Sequence, residues 1–359
     1  MKVDFYSTQS MPKSLKKDYE KVFRKTLNQD SLIDGDICRK FEGDFSSYLG
    51  SNHVLGVGNG FDALRLSLLA LGITHGDRVA VPAHTFIATW FAIQSVGATP
   101  VGIDVTFDGQ INLDLLELEN DLKCVIPVHM HGTHCDMSRL TKWAKMKKIF
   151  VIEDCAQAAG LTIQGKKAGT WGDLGSFSFY PTKNLFALGD AGAITTNDEN
   201  LFERARSISR YGSSRASKYI HERLGQNSRL DSIQAAFLSI NLKYIDEWNE
   251  HRILLASLYN EKLKNFRQEI DLRNSHVYHH YVIYSELRDE LQEYLQKRNI
   301  STEIHYPVLA SSEVAASNQK FFQVASYLTS AGISLPLSPW QSKKETILVA
   351  KVVEEFLND

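Results

Sequence analysis

The stretch Ile149-Phe150-Val151-Ile152-Glu153-Asp154-Cys155 is a run of four apolar residues that ends abruptly in two carboxylates. A run so short and so rich in β-branched and aromatic residues reads as a strand buried on both faces; a helix would need about ten residues or more. Outward from it the pattern repeats. Arg78–Pro82 (RVAVP), Thr99–Ile103 (TPVGI) and Cys124–Val128 (CVIPV) read as further buried strands. Helical periodicity fills the intervals at Asp62–Leu71, Ile87–Val96, Leu113–Leu118 and Ser138–Lys147. Such alternation builds βαβ units, so the spacing predicts an α/β fold with a mostly parallel sheet and helices on both faces. Gly175–Phe179 and Gly192–Thr196 add two strands around a loop that carries Lys183, and Glu199–Ser209 returns to helix. Asp231–Leu263 is helical, as two helices or one kinked helix. Beyond it, Val277–Tyr284 (strand), Arg288–Arg298 (helix) and Thr302–Tyr306 (strand) predict a smaller α+β unit. The boundary is placed near residue 240, inside a connecting helix, giving a large unit 1–240 and a small unit 241–359.

A chain of 359 residues exceeds what one core comfortably supports, in keeping with two units. Apolar residues at 43% and charged residues at 23% are ordinary for a soluble globular protein. The net charge of −2 supplies no field for a nucleic-acid backbone or an anionic membrane, so an anionic ligand must be held locally. The first twenty residues lack the apolar core of a signal peptide, and no run of about eighteen apolar residues could span a bilayer. Cys38, Cys124, Cys135 and Cys155 show no CxxC spacing and read as reduced thiols, which points to the cytoplasm.

Three constellations carry chemistry. Val57-Gly58-Asn59-Gly60-Phe61-Asp62-Ala63-Leu64 runs from a glycine-rich turn into a helix, where free N–H groups and the helix dipole favour an anion. A dinucleotide fingerprint fails here because Phe61 stands at its third glycine position; an ordinary strand-to-helix turn is an equal alternative. Asp154 sits where a buried strand ends, the place where open α/β sheets hold ligands. Capping the next helix is its bland alternative. Lys183 follows an aromatic strand and a proline turn, among Phe177, Phe179, Tyr180, Leu185 and Phe186. Most lysines are solvated surface charges, but desolvation in such company lowers the pKa and makes a neutral amine available for Schiff-base chemistry. An acid at a strand end and a lysine in a later loop are the pair that pyridoxal 5′-phosphate requires. One protonates the pyridine ring, the other carries the aldehyde.

Together GNGFDAL, LGITHGDRVAVPAHTFIATW, GATPV, VIEDCAQAAG, GSFSFYPTKN, GDAGAITTND, LGQNSRLDSIQAA and IHYP resemble, in family order and over nearly the whole chain, the DegT/DnrJ/StrS family of nucleotide-sugar aminotransferases. The resemblance is greatest to dTDP-3-keto-6-deoxyhexose 3-aminotransferases. It implies the type I aminotransferase fold, pyridoxal phosphate, L-glutamate as amino donor, a nucleotide-linked ketosugar as acceptor and a homodimer with shared active sites. Position by position it makes Lys183 the cofactor lysine, Asp154 the acid on the pyridine nitrogen and Gln157 the amide near the ring hydroxyl. Phe86 is the ring-stacking aromatic; Ser178 and the backbone of Gly60, Phe61 and Asp62 are phosphate ligands. Asn227 reaches the phosphate of the neighbouring subunit, while Tyr180, His305, Tyr306 and Lys218 contact the sugar nucleotide. Sugar dehydratases of this fold replace the lysine with histidine, so Lys183 argues against them; a 4-ketosugar aminotransferase and a non-catalytic homologue remain as alternatives. Three positions depart from the family pattern: His131 stands where tyrosine is usual, and Phe186 and Ala191 replace glycines. The cluster His129-Met130-His131-Gly132-Thr133-His134-Cys135-Asp136 has no tetrahedral ligand spacing, so no metal is expected. His279 and His280 are expected to alternate on a strand.

Overall fold

The computed structural model describes residues 2–214, 219–263, 275–313 and 321–358. Eleven strands occur among them: β1 His53–Val57, β2 Arg78–Pro82, β3 Thr99–Ile103, β4 Leu122–Val125, β5 Phe150–Asp154, β6 Thr162–Ile163, β7 Lys166–Lys167, β8 Leu174–Ser178, β9 Gly192–Thr196, β10 Tyr281–Tyr284 and β11 Gly332–Leu335. Seven of them form one sheet in the order β1-β9-β8-β5-β4-β2-β3, with β5 at its centre. All are parallel except β9, which runs antiparallel to both β1 and β8. The expected mostly parallel sheet, flanked by helices, is present.

Side-chain alternation along the strands feeds two cores. On one face Val125, Val151, Phe177 and Ala193 pack with Phe41 and Phe45 of the helix Asp36–Leu49. On the other Cys124, Ile152, Leu174 and Ile194 pack with Leu64, Leu66 and Leu68 of the helix Gly60–Leu71. Burial on both faces is why these strands read as unbroken apolar runs.

A third core gathers Leu255, Tyr259, Tyr281, Leu291, Leu295, Ile333 and Val349 around the two-stranded antiparallel β10–β11 sheet. Val3 belongs to it too, its backbone bonded to Asn299 and Ser301. The helical stretch near residue 240 is two helices, Ser232–Asn241 and Ile245–Lys262. We propose the break between them as the division of the chain into its two units, with the amino-terminal Val3 crossing to the second.

Two sequence expectations are corrected. Thr302–Tyr306 is no strand; only Glu303 makes a bridge, to Ser334, and the residues after it turn towards the main sheet. In Val277–Tyr284 the strand begins at Tyr281, because the Val277 and His279 N–H groups donate instead to the Gly132 and His131 carbonyls. His279 and His280 therefore precede the strand and are both buried.

Candidate active site

The chain positions its chemistry at one end of the sheet. β1 ends at the Gly58–Gly60 turn, β2 leads to Phe86, β4 to His129–His131, β5 to Asp154 and β8 to Ser178. These are the carboxyl ends of parallel strands, where side chains and loop N–H groups converge on a shared cleft.

Asp154 is buried, and its carboxylate accepts from Thr89 Oγ1 at 2.9 Å and from the Ala156 N–H at 3.1 Å. No helix starts after it, so the capping alternative falls away. Burial raises its pKa, with these two donors and the Lys183 charge pulling the other way. Lys183 keeps partial access to solvent, yet it is packed deeply enough that burial pushes its pKa down to about 8, the Asp154 charge opposing. Among the described residues no acceptor or carboxylate holds its Nζ by a hydrogen bond or ion pair. It is poised as an amine.

Gln157 links three elements. Its Oε1 accepts from the His131 N–H at 2.6 Å, and its Nε2 donates to Tyr306 Oη at 3.0 Å. Tyr306 in turn lies 5.3 Å, centroid to centroid, from the half-exposed ring of Phe86. Phe86, Gln157 and Tyr306 thus meet, although 149 residues separate the last two. His305 donates or accepts at Ser334 Oγ (2.9 Å) and stacks on His280 with centroids 3.8 Å apart.

The glycine-rich turn abuts Ser178. A Cβ on Gly60 would lie 2.6 Å from Ser178 Cβ, so only glycine lets the helix start touch the end of β8. Asn59 caps that helix through the Asp62 N–H (2.8 Å), and the Asp62 carboxylate accepts from Ser228 and Gln226. The Asp62 N–H is therefore already engaged, which leaves those of Gly60 and Phe61 as the first-turn donors without an intrahelical acceptor. Tyr180 is half-exposed beside this cradle, its N–H 3.4 Å from Ser178 Oγ. Asn227 is exposed, its Oδ1 accepts from Arg229 Nε at 3.1 Å, and its backbone bridges to Arg210. Lys218 lies outside the described residues.

Sequence reading missed Thr89, which holds Asp154; its signal was one helical turn from Phe86 in HTFIAT. It also missed buried His84, whose two ring nitrogens have no partner among the described residues, and buried Arg252. His129 bonds Glu153 at 3.0 Å, and Glu153 also accepts from the Gly169, Trp171 and Gly172 N–H groups. With Cys155 these two form a compact buried donor group. Glu153 uses its carboxylate to brace the loop before β8.

A central buried acid, a desolvated lysine on the next strand's exit loop and a glycine–serine contact at a helix start are the arrangement that a pyridoxal-phosphate enzyme of the type I fold needs. The chain belongs to the DegT/DnrJ/EryC1/StrS aminotransferase family, whose model matches residues 13–355. It is 39% identical to the dTDP-3-amino-3,6-dideoxy-alpha-D-galactopyranose transaminase of Aneurinibacillus thermoaerophilus, over 99% of both chains. It is 38% identical to the erythromycin biosynthesis sensory transduction protein EryC1 of Saccharopolyspora erythraea, over 96% of each. The structure of S. venezuelae DesV superposes with a TM-score of 0.95 at 34% identity, covering 100% of this chain and 99% of that one. Other relatives carry names that refer to UDP- and GDP-linked sugars.

The residues present fit the cofactor. Asp154 is a buried carboxylate without an ion-pair partner among the described residues, as a protonated ring nitrogen needs, and the Gly60–Ser178 contact leaves an anion cradle that a Cβ would fill.

Proposed function

We propose that the protein moves an amino group from L-glutamate to the keto group of a nucleotide-linked sugar. The acceptor in this reading is a dTDP-3-keto-6-deoxyhexose, and the product a dTDP-3-amino-3,6-dideoxyhexose destined for a surface glycan. The observation that carries the reading is the pairing of desolvated Lys183 with buried Asp154 at the central strand end. The choice of sugar is supported by the sequence motifs and by the name of the 39%-identical relative. No helix among the described residues is long and apolar enough to cross a membrane, and we place the enzyme in the cytoplasm.

When bound, pyridoxal phosphate supplies an aldehyde for amines and a ring that accepts electrons. Lys183 would hold its aldehyde carbon and Asp154 its ring nitrogen. Gln157 would lie near the ring hydroxyl, Phe86 over the ring face, and Ser178 with the Gly60 and Phe61 N–H groups around the phosphate. Lys183 Nζ would move the proton at the donor Cα; with its pKa pushed down to about 8 it is neutral often enough at pH 7 to act as that base. Asp154, kept from water and oriented by Thr89, would hold its carboxylate at a fixed point for the ring nitrogen. Tyr180, Lys218, His305 and Tyr306 are assigned to the sugar nucleotide, and Asn227 to the phosphate site of a second subunit, which makes the active form a homodimer.

The test offers purified protein L-glutamate with dTDP-, UDP- and GDP-linked 3- and 4-ketosugars, and identifies the aminated product by mass and NMR. Wild-type protein is expected to be yellow; Lys183→Ala is expected to lose the colour and about a thousandfold or more in rate. Wild-type protein that cannot be reconstituted with the cofactor would sink the reading. Amination at C4 alone would move the keto position and leave the rest standing.

A further inference from the structure

Asn184, the residue after Lys183, is buried, and its side chain reaches three other segments. Its Nδ2 donates to Asn249 Oδ1 at 2.7 Å and to the Val277 carbonyl at 3.1 Å, while its Oδ1 lies 3.0 Å from His279 Nδ1. Asn249, buried on the helix Ile245–Lys262, extends the chain: its Nδ2 donates to the Ala159 carbonyl at 3.0 Å. Ala159 belongs to the loop that leaves β5, downstream of Asp154 and Gln157. Two amides therefore join the exit loop of β5, the exit loop of β8 and the residues that lead into β10. The approach is close, since a Cβ on Gly160 would lie 2.5 Å from Asn249 Nδ2.

The ends of this chain fix the order of its donors. A carbonyl only accepts, so Val277 and Ala159 each demand an NH2 group and settle which way both amides point. Asn184 Oδ1 is left as an acceptor, and the His279 nitrogen that faces it must carry the proton. The ring keeps that single proton, because burial and the positive groups around it (Lys183, Arg252, His305 and His131) hold its pKa well below the usual value. His280, whose ring lies 3.9 Å away centroid to centroid, is held low in the same way. None of these neighbours is a carboxylate. The lysine's own loop is turns and bends from Pro181 to Leu185, with the Lys183 N–H on the Tyr180 carbonyl at 2.9 Å. From Tyr180 to Ala187, Asn184 is the one residue whose side chain hydrogen-bonds to another segment among the described residues.

We propose that Asn184 is the positioning residue of the lysine loop: with Asn249 it holds Lys183 at a set place relative to the Asp154 loop, and it pins His279 as the neutral Nδ1–H tautomer. The inference rests on Lys183 as the lysine that holds the cofactor. It explains why a polar side chain is buried next to the reactive residue of a loop without regular structure. A misplacement of about 1 Å at such a residue costs up to about 100-fold in rate.

The tautomer is read by nitrogen NMR of histidine-labelled full-length protein near pH 7, its signals assigned by their loss in His279→Gln. A His279 ring protonated at Nδ1 alone is expected; a cationic ring or an Nε2–H tautomer overturns the proposal, and no Asn184 variant has to fold for that result. In folded Asn184→Ala the preference for Nδ1–H should be lost. Wild-type holoenzyme, Asn184→Ala, Asn249→Ala and the double variant are then compared in single-turnover reaction with L-glutamate. Each single substitution is expected to lower the limiting rate about 10-fold, with the glutamate concentration for half-saturation within about twofold. The double variant should be no slower than the slower single one, because both break the same chain. Should Asn184→Ala fail to fold, as read by cofactor colour and melting temperature, Asn249→Ala carries the rate test: the same loss, with the His279 tautomer intact. A folded Asn184→Ala with a rate within about twofold, losses that multiply in the double variant, or a lowered melting temperature alone would overturn the proposal. Wild-type protein that shows the expected tautomer but takes up no cofactor would sink the proposed function and leave this amide chain; a sugar aminotransferase whose folded Asn184→Ala keeps its rate would do the reverse.

Discussion

Substituting Gly60 by alanine separates the proposed phosphate cradle from ordinary helix chemistry. Alanine is the better helix former, so propensity alone predicts a gain of up to about 1 kcal/mol. Packing predicts the opposite. The new methyl would sit 2.6 Å from Ser178 Cβ, 3.1 Å from its Oγ and 3.2 Å from its Cα. Carbon pairs rest at roughly 3.5–4.0 Å, so about 1 Å must be opened between the helix start and the end of β8. Neither side yields easily. β8 lies between β5 and β9, and behind the turn Gly192 is so close to Asn59 that a Cβ there would meet its carbonyl at 2.5 Å. Overpacking of this kind costs about 1–3 kcal/mol. It also moves the Gly60 and Phe61 N–H groups off any anion held by Ser178, so cofactor affinity should fall about 10- to 100-fold. The assay is absorbance titration of apoprotein with pyridoxal phosphate, with thermal melting in parallel. Gly43→Ala serves as the control: Gly43 is exposed in the helix Asp36–Leu49, and a methyl there would meet nothing within 4 Å. This variant should be stabilised by about 0.5–1 kcal/mol with affinity unchanged. A Gly60→Ala protein that melts like wild type and binds the cofactor within about twofold would refute the reasoning.

Other outcomes follow from the same geometry. Folding depresses the Lys183 pKa from 10.5 to about 8, so between those values the unfolded chain binds the extra proton. Stability of the apoprotein relative to Lys183→Met should therefore rise as pH climbs from about 8 towards 10, as followed by urea denaturation; a flat difference would refute the shift. Thr89→Val removes a donor to a buried carboxylate and should lower single-turnover rate or cofactor affinity about tenfold, with little change in ketosugar KM. Glu153→Ala strips the acceptor from three backbone N–H groups and His129, and is expected to cost more than about 4 kcal/mol, read as loss of soluble protein or a collapsed melting temperature.

Most of the main sheet was legible in the sequence. β2, β3 and β9 fall on the stretches read as strands, and β4, β5 and β8 lie within a few residues of theirs. The helix Asp36–Leu49 was missed although Cys38, Phe41, Phe45 and Leu49 recur at helical spacing, a signal that could have found it. Strands buried on both faces must be apolar at every position whatever their neighbours, so their sequence announces them. Asp154 and Lys183 stand out in the sequence for a similar reason, each in a short segment of its own, and the fold brings both segments to the same end of the sheet.

What lies between segments was not. Nothing local in residues 302–306 says that a single bridge replaces a strand, or that Tyr306 meets Gln157, because both depend on how the carboxy-terminal unit docks against the sheet ends. The same holds for His279 and His280, drawn out of the strand by the backbone of His131 and Gly132. Arg252 is the sharpest case. In the sequence it is one basic residue on a helix, and only the tertiary fold brings to it the carbonyls of Tyr278, His279 and Leu337 that accept from its Nη1. Amino-acid order by itself determined which segments must be buried and which carry reactive groups. Long-range packing decided which of those groups meet, since a contact between distant residues is held in place by the whole core that brings them together.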